Sequence, residues 1–151
     1  MSTEIPRTDV QVNNVGSWPV QEEWLSLACQ AVLSAEGIRE GEVSITLLDD
    51  DGIQGLNQEY FGKDGPTDVI AFALQAPGES VLGDVYLGYE QARRQALELD
   101  IRLDEELLRL TIHGTLHVLG HQHPEGEERF ESPMFLVQEG LLREILESGP
   151  D

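Results

Sequence analysis

The four histidines of this chain lie within eleven residues, from His113 to His123, and their spacing constrains how this segment folds. His113 and His117 are four residues apart, so on a helix they occupy the same face, one turn apart. Gly120 can end that helix, because glycine adopts the left-handed backbone conformation that other residues resist. The sequence therefore predicts a helix that carries two imidazoles and a turn that returns a third one toward them.

The distances that a helix imposes decide whether His121 or His123 supplies the third imidazole. In an unbroken helix His113 and His121 would be about 12 Å apart along the axis, at 1.5 Å per residue. One ion cannot join them, because zinc–nitrogen bonds are about 2.1 Å long. His123 has room to return after the glycine, whereas His121 follows the glycine directly and is expected to point elsewhere. We therefore predict His113, His117 and His123 as metal ligands, with the open fourth position of a catalytic zinc site.

The ligand set predicts one divalent transition-metal ion per chain. Zinc is the first expectation, although nickel, copper and iron suit three imidazoles nearly as well. The same histidine spacing occurs in metzincin proteases, which carry a glutamate directly after the first histidine as general base. This chain has Gly114 at that position, which disfavours a metalloprotease.

Composition and charge narrow the class of protein. No apolar run reaches the roughly 20 residues needed to span a membrane, and the polar N-terminus lacks the apolar segment of a signal peptide. Cys29 is the only cysteine and lies in an apolar helical pattern, so we interpret it as part of the core. A single cysteine excludes an intrachain disulfide and suits a reducing, cytoplasmic location.

The net charge of −20 argues against a general nucleic-acid binder. Phosphate backbones are held by lysine and arginine, and the chain has only nine of these residues. Any RNA contact must therefore depend on a local basic patch together with the metal, or on a partner that supplies the attraction. Much of the acidity equally serves solubility.

Hydrophobic periodicity predicts an α+β fold, with a small four-stranded sheet packed against about five helices in one compact domain over 1–151. Residues 68–74 form a nearly continuous apolar run, which is typical of a central strand. Asp49 to Asp51 offer an N-cap to the second helix, and Asp104 is expected to cap the helix that carries the histidines. The other predicted strands are 8–15, 42–48 and 81–87, and the other predicted helices are 18–36, 89–99 and 130–146.

The motif His113-Gly-x-Leu-His117-x-x-Gly-x-x-His123 resembles the signature of the YbeY-type endoribonuclease family of bacterial rRNA maturation. The resemblance covers about residues 9–147. Three further stretches fit the same pattern in order: Leu56-Asn57-x-x-Tyr60 leading to Lys63-Asp64-x-Pro66-Thr67-Asp68-Val69, then Leu82-Gly83-Asp84-Val85, then Met134 followed by Gln138-Glu139.

The resemblance implies a mixed sheet and one zinc-like ion held by the three histidines. It also implies a metal-dependent, single-strand-specific endoribonuclease that matures the 3′ end of small-subunit rRNA and acts in ribosome quality control. The implied partners are rRNA, the small ribosomal subunit and ribosomal proteins. Neither a membrane nor DNA is expected as a partner.

Two positions depart from the family pattern. Phe61 stands where the family usually has arginine, and phenylalanine cannot grip a phosphate through two hydrogen bonds. Gln122 stands where the family usually has aspartate, which would be a natural hydrogen-bond acceptor for a ligand imidazole. Both changes weaken the inference to nuclease activity more than the inference to metal binding.

Three residues are candidates for catalysis. Lys63 can neutralise developing charge, and Asp68 and Asp84, each expected at a strand end beside the site, are candidate general bases. For the two aspartates the alternative is a local capping role. Arg93 and Arg94 are interpreted as a solvated helix face. The rival function is a non-catalytic, metal-stabilised ribosome-assembly factor, which the acidity and Phe61 favour.

Overall fold

A computed structural model describes residues 5–148; the N-terminal residues 1–4 and the end of the polar tail, 149–151, lie outside this range. The order of elements agrees with the predicted one, with a short 3₁₀ helix added before the last α-helix. The elements are β1 (Arg7–Asn14), α1 (Glu22–Ala35), β2 (Glu40–Leu48), α2 (Asp50–Phe61), β3 (Val69–Ala73), β4 (Val81–Gly88), α3 (Tyr89–Leu99), α4 (Leu103–Val118), the 3₁₀ helix (Gly126–Glu131) and α5 (Pro133–Ser148).

The four strands form one mixed sheet in the order β1-β2-β4-β3. β1, β2 and β4 are parallel, and β3 is antiparallel to β4. Alternate residues of β2, such as Val43 and Ile45, are buried beneath α1 and α4, whereas Ser44 lies on the opposite face. We call these the helix face and the open face of the sheet. The predicted α+β class with a small mixed sheet is confirmed.

The predicted central position of β3 is wrong, because β3 lies at the edge of the sheet. Its apolar run has another cause. Val69 faces α4 next to Gly114, and Phe72 on the other side packs against aromatic rings. Both faces of this edge strand are therefore covered, and such a strand has the same composition as a central one.

Two predicted helix starts also need correction. The first helix begins at Glu22 and not at residue 18, because residues 14–18 form a turn in which Asn14 bonds the backbone of Trp18. Asp104 does not cap α4; it lies in the first turn and pairs with Arg102 at 3.4 Å. By contrast, Asp49 caps α2 as predicted by accepting a hydrogen bond from the backbone N–H of residue 52.

The last helix starts at Pro133, later than the predicted residue 130, because the 3₁₀ helix occupies the preceding residues. Cys29 is fully buried in the core, as interpreted from the sequence, and burial raises the pKa of its thiol to about 11. Within residues 5–148, no helix is long and apolar enough to cross a membrane.

Gly114 allows α4 to lie against the sheet. A Cβ atom at this position would be 2.5 Å from Val85 Cγ1 and 3.1 Å from Val69 Cγ2. We expect Gly114→Ala to lower the free energy of unfolding by about 1–3 kcal/mol through overpacking, as measured by urea denaturation. Gly140→Ala is the matched control, since Gly140 lies within α5 and a Cβ there meets nothing within 4 Å.

The control substitution should act in the opposite direction and raise the free energy of unfolding by about 0.5–1 kcal/mol, because alanine is the better helix former. Equal effects of Gly114→Ala and Gly140→Ala would contradict the close approach of α4 to β4.

Candidate metal centre

The structure brings together the three histidines that the spacing selected. His113 and His117 project from adjacent turns of α4, with ring centroids 4.6 Å apart and Nε2 atoms 3.0 Å apart. The His123 ring lies 5.1 Å from each of them. One candidate ligand atom from each of the three residues lies within 4.8 Å of the others. These three side chains could hold a single metal ion.

The turn that brings His123 back toward α4 has the conformation predicted from Gly120. Gly120 has φ of 96°, in the left-handed region, immediately beyond the end of α4. The backbone N–H of Gly120 donates to the His117 carbonyl at 3.0 Å, and that of His121 donates to the Leu116 carbonyl at 3.0 Å. This pair of bonds is a Schellman motif, which ends a helix and reverses the chain.

The hydrogen bond made by one nitrogen of each imidazole ring decides which of its two nitrogens faces the ion. An Nδ1–H that donates to an oxygen leaves the Nε2 lone pair available as a ligand. All three Nδ1 atoms have such an oxygen: Gln138 Oε1 at 2.7 Å from His113, the His121 carbonyl at 2.9 Å from His117, and the Pro124 carbonyl at 2.9 Å from His123. The rings are therefore oriented with Nε2 toward the centre.

The donor set fits a tetrahedral zinc-like ion. Two nitrogens bound at about 2.1 Å in a tetrahedron are roughly 3.4 Å apart, close to the 3.0 Å between the Nε2 atoms of His113 and His117. His121 faces away and contacts Glu36 at the end of α1, as expected. Among the residues that the structure describes, no further histidine, cysteine or carboxylate joins the group.

The two helical histidines are held in the neutral form. Burial lowers the pKa of His113, although the hydrogen bond that His113 donates to Gln138 and the charge of Asp68 oppose this shift. Burial and the neighbouring His113 lower the pKa of His117 to about 4. Because metal ions bind the neutral imidazole, these ligands are ready for a metal at neutral pH without losing protons.

The metal-free protein is expected to lose stability as the pH falls from 7 toward 4. The unfolded chain has a His117 pKa of about 6.5 and the folded chain one of about 4, so the unfolded state binds more protons in this window. The stabilising contribution is full above the unfolded pKa and disappears as the pH falls through the folded one. His113 shifts in the same direction.

Urea denaturation in the presence of a chelator, at pH 7 and pH 5, measures this dependence. His117→Gln, which cannot gain the proton, should show a smaller change between the two pH values. An equal change in the free energy of unfolding between the two pH values in wild type and His117→Gln would contradict the lowered pKa of His117.

A cleft of about 470 Å³ opens beside the centre. It runs from His117 and Gln122 along the edge strand Val69–Ala73 to Phe61 and Lys63. Lys63 is the only lysine of the chain and makes no ion pair with the described residues. The predicted cation therefore lines the same cleft as His117, one of the three predicted metal ligands.

A chain of hydrogen-bonded, partly buried polar side chains, which we call the relay, connects His113 to Asp68. Each member contacts the next within hydrogen-bond distance, and two of its members, Glu106 and Gln138, are buried. From His113 the relay continues as Gln138, Glu139 at 3.0 Å, Arg109 at 3.0 Å, Glu106 at 2.9 Å, Gln95 at 2.8 Å and Asp68 at 3.3 Å. Asp68, the last member of the relay, lies directly before β3. Its negative charge acts on His113.

The expected position of Asp84 at a strand end beside the site is wrong. Asp84 is in the middle of β4, opposite Ser44 and Phe72. Its neighbours Gly83 and Val85 face α4, so Asp84 points to the open face of the sheet, away from the helix that carries the histidines.

Three further arginines differ in their relation to the site. Arg129, which we did not single out from the sequence, acts electrostatically on His113 from the 3₁₀ helix. No spacing in the sequence indicated this proximity. Arg93 and Arg94 are both exposed on α3, as interpreted, and Arg94 also donates two hydrogen bonds to Asp50 at 2.8 and 2.9 Å.

Fold and centre together define a class: small α+β domains in which three histidines, on one helix and the turn after it, could hold a metal ion. Comparison with known proteins gives the family, since the Endoribonuclease YbeY family matches residues 8–146. The chain belongs to this family, in agreement with the resemblance seen in its motifs.

Individual relatives support the assignment. The Endoribonuclease YbeY of Bacillus subtilis is 40% identical over 146 residues, covering 87% of this chain and 90% of the relative. That of Pelotomaculum thermopropionicum is 47% identical over 113 residues, covering 70% and 74%. A solution structure of a Thermotoga maritima protein superposes with a TM-score of 0.63 at 26% identity, covering 93% and 90% of the two chains.

Proposed function

We propose that this chain is a metal-dependent endoribonuclease that cuts single-stranded RNA, with zinc as the metal. The observation that carries the proposal is the convergence of three imidazoles, each with its Nδ1 on an oxygen, beside an open cleft that His117 lines. Membership of the Endoribonuclease YbeY family supports RNA as the substrate.

The bound ion would polarise a phosphoryl oxygen and lower the pKa of a water molecule that attacks the phosphodiester. His113, His117 and His123 would hold that ion. Lys63 lies in the cleft and Arg129 lies near His113, so these two cations are suited to neutralise the phosphate. Asp68, which accepts a hydrogen bond from Gln95 and acts electrostatically on His113, is the remaining candidate for general base.

Asp84 is not assigned a role at this centre, because it lies on the open face of the sheet. The net charge of −20 also limits how RNA is held. Binding is expected to depend on the two local cations and the metal, and to weaken as the salt concentration rises.

The biological setting is part of the proposal. The family resemblance supports maturation of the 3′ end of small-subunit rRNA and ribosome quality control in the cytoplasm. The proposed partners are rRNA, the small subunit and ribosomal proteins, and neither DNA nor a membrane is included.

A second candidate is a non-catalytic, metal-stabilised ribosome-assembly factor. Phe61, at the position where the family usually has arginine, favours it because the cleft then lacks a bidentate phosphate ligand. A metalloprotease is disfavoured further, since a side chain at position 114 would meet Val85 and Val69 in the core and not the metal.

Cleavage assays separate these candidates. Purified protein is incubated with a single-stranded rRNA 3′-end fragment and with the same sequence as a duplex, with metal or with chelator. We expect cleavage of the single strand only, dependent on metal and absent in His117→Ala. Cleavage by His117→Ala would contradict the endoribonuclease proposal. So would the absence of cleavage by the metal-loaded wild-type protein.

A further inference from the structure

Four aromatic rings form a contiguous surface at the edge of the sheet, which we call the aromatic platform (Tyr60, Phe61, Phe72 and Tyr86). The Phe61 ring is stacked on that of Phe72, with centroids 6.2 Å apart and planes at 11°. Tyr60 meets Phe72 edge-on at 5.0 Å, and Tyr86 does so at 6.0 Å. Both geometries are favourable for aromatic pairs, so the rings support one another.

The outer rings of the platform are exposed although they are large and apolar. Phe61 has a relative exposure of 51% and Tyr60 one of 58%. Phe61 also lines the cleft that reaches His117. Phe61 is therefore the ring that joins the platform to the cleft, whereas Phe72 and Tyr86 lie behind it on the open face of the sheet. A ligand in the cleft can reach the platform through Phe61.

The local backbone holds the platform in place before any ligand arrives. α2 ends directly after Phe61, where Gly62 adopts φ of 63° in the left-handed region. The buried Asn57 side chain donates a hydrogen bond to the Gly65 carbonyl at 3.1 Å and so fixes the loop that carries Lys63. An ordered aromatic surface loses little entropy on binding.

We propose that the aromatic platform, with Phe61 as its outer ring, binds an unpaired nucleobase of the RNA while Lys63 contacts a neighbouring phosphate. The inference rests on the proposed function and names how its substrate is held. Every nucleobase offers a π-face to an aromatic ring, and only an unpaired base has that face free. The charge of Lys63 complements a phosphate, and a cleft of about 470 Å³ lies in the usual range for small-ligand pockets.

The platform explains how a chain with Phe61 in its cleft engages RNA. Phenylalanine cannot donate hydrogen bonds to a phosphate, so contact at this position shifts from the backbone of the RNA to a base. Since stacking is tolerant of sequence, the platform selects single strands over duplexes without selecting a base.

Binding is tested in metal-free protein with chelator, so that no RNA is cut. The probe is a labelled oligoadenylate of about eight nucleotides at fixed low salt, with an abasic oligomer of equal length beside it. Phe61→Ala and Phe61→Leu should each weaken oligoadenylate binding by about 5- to 150-fold, whereas Phe61→Trp should retain it. Leu97→Ala, at an exposed apolar position of α3, is the control and should bind like the wild type.

Each outcome decides the proposal. Wild type and Phe61→Ala should bind the abasic oligomer equally, since no base is present to stack. The proposal would be overturned if Phe61→Leu bound oligoadenylate as tightly as the wild type, or if the wild type did not bind it at all. It would also be overturned if Phe61→Ala weakened binding of the abasic oligomer as much as binding of oligoadenylate. A dimer in sedimentation that dissociates in Phe61→Ala would also overturn it, because a second copy would then cover the platform.

The failure of this inference is distinguishable from that of the proposed function. If the metal-loaded wild type cuts RNA and Phe61 does not affect binding, only the platform fails. If binding depends on Phe61 but no RNA is cut, the endonuclease proposal fails and the platform remains.

Discussion

Replacing His117 by alanine is expected to lower the affinity for a divalent ion by more than about 100-fold. His117 supplies one of the three nitrogens that face the centre, and its Nε2 lies 3.0 Å from that of His113. Loss of a group that only supports a ligand costs about 10- to 100-fold in metal affinity, so loss of a ligand must cost more. Competition with a chromophoric chelator measures the affinity directly.

The chain provides a matched control for this substitution. His121 lies four residues along and has its ring against Glu36, although its carbonyl oxygen accepts from His117 Nδ1. His121→Ala removes the ring and keeps the carbonyl, so affinity should stay within a few-fold of wild type. Comparable losses in His117→Ala and His121→Ala would show that the ligand assignment is wrong.

Gln138→Leu is expected to lower metal affinity by about 10- to 100-fold without changing any ligand. Gln138 is buried in α5, and its Oε1 accepts the hydrogen bond from His113 Nδ1 at 2.7 Å. Leucine has a similar size but no acceptor, so the His113 ring loses the bond that fixes its tautomer and orientation. The remaining relay also loses the contact from Gln138 to Glu139.

The measurement must separate metal binding from folding. Gln30→Leu is the matched control, because Gln30 in α1 also makes a side-chain hydrogen bond, to Thr8 at 2.8 Å, but lies outside the relay. Both variants should unfold at somewhat lower urea concentrations in chelator, and only Gln138→Leu should release metal more readily. Unchanged metal affinity in Gln138→Leu would show that Gln138 does not support the metal centre.

The arrangement of the histidines could be predicted because it is local. The spacing of His113 and His117, the helix-ending Gly120 and the reach of His123 depend on a few residues of backbone geometry. The same reasoning excluded His121, whose ring does contact another residue. Short-range rules of helix geometry and glycine conformation suffice for such a site.

Features that depend on distant contacts were not predicted. β3 has the composition of a central strand because α4 and aromatic rings cover its faces, and its edge position follows only from the topology. Asp84 was misplaced because it lies in the middle of β4, and which face of that strand packs against α4 depends on contacts between distant elements. The relay joins Arg109 to Glu139, which is 30 residues away, and no periodicity indicates such a pair.

X-ray absorption spectroscopy of the metal-loaded, tag-free protein tests the central claim most directly. We expect one ion per chain, with three imidazole nitrogens at about 2.0–2.1 Å and one further light atom from solvent. The His123→Ala variant should lose one imidazole from this shell. A fourth imidazole, a sulfur atom or an all-oxygen shell would contradict an open centre built by His113, His117 and His123.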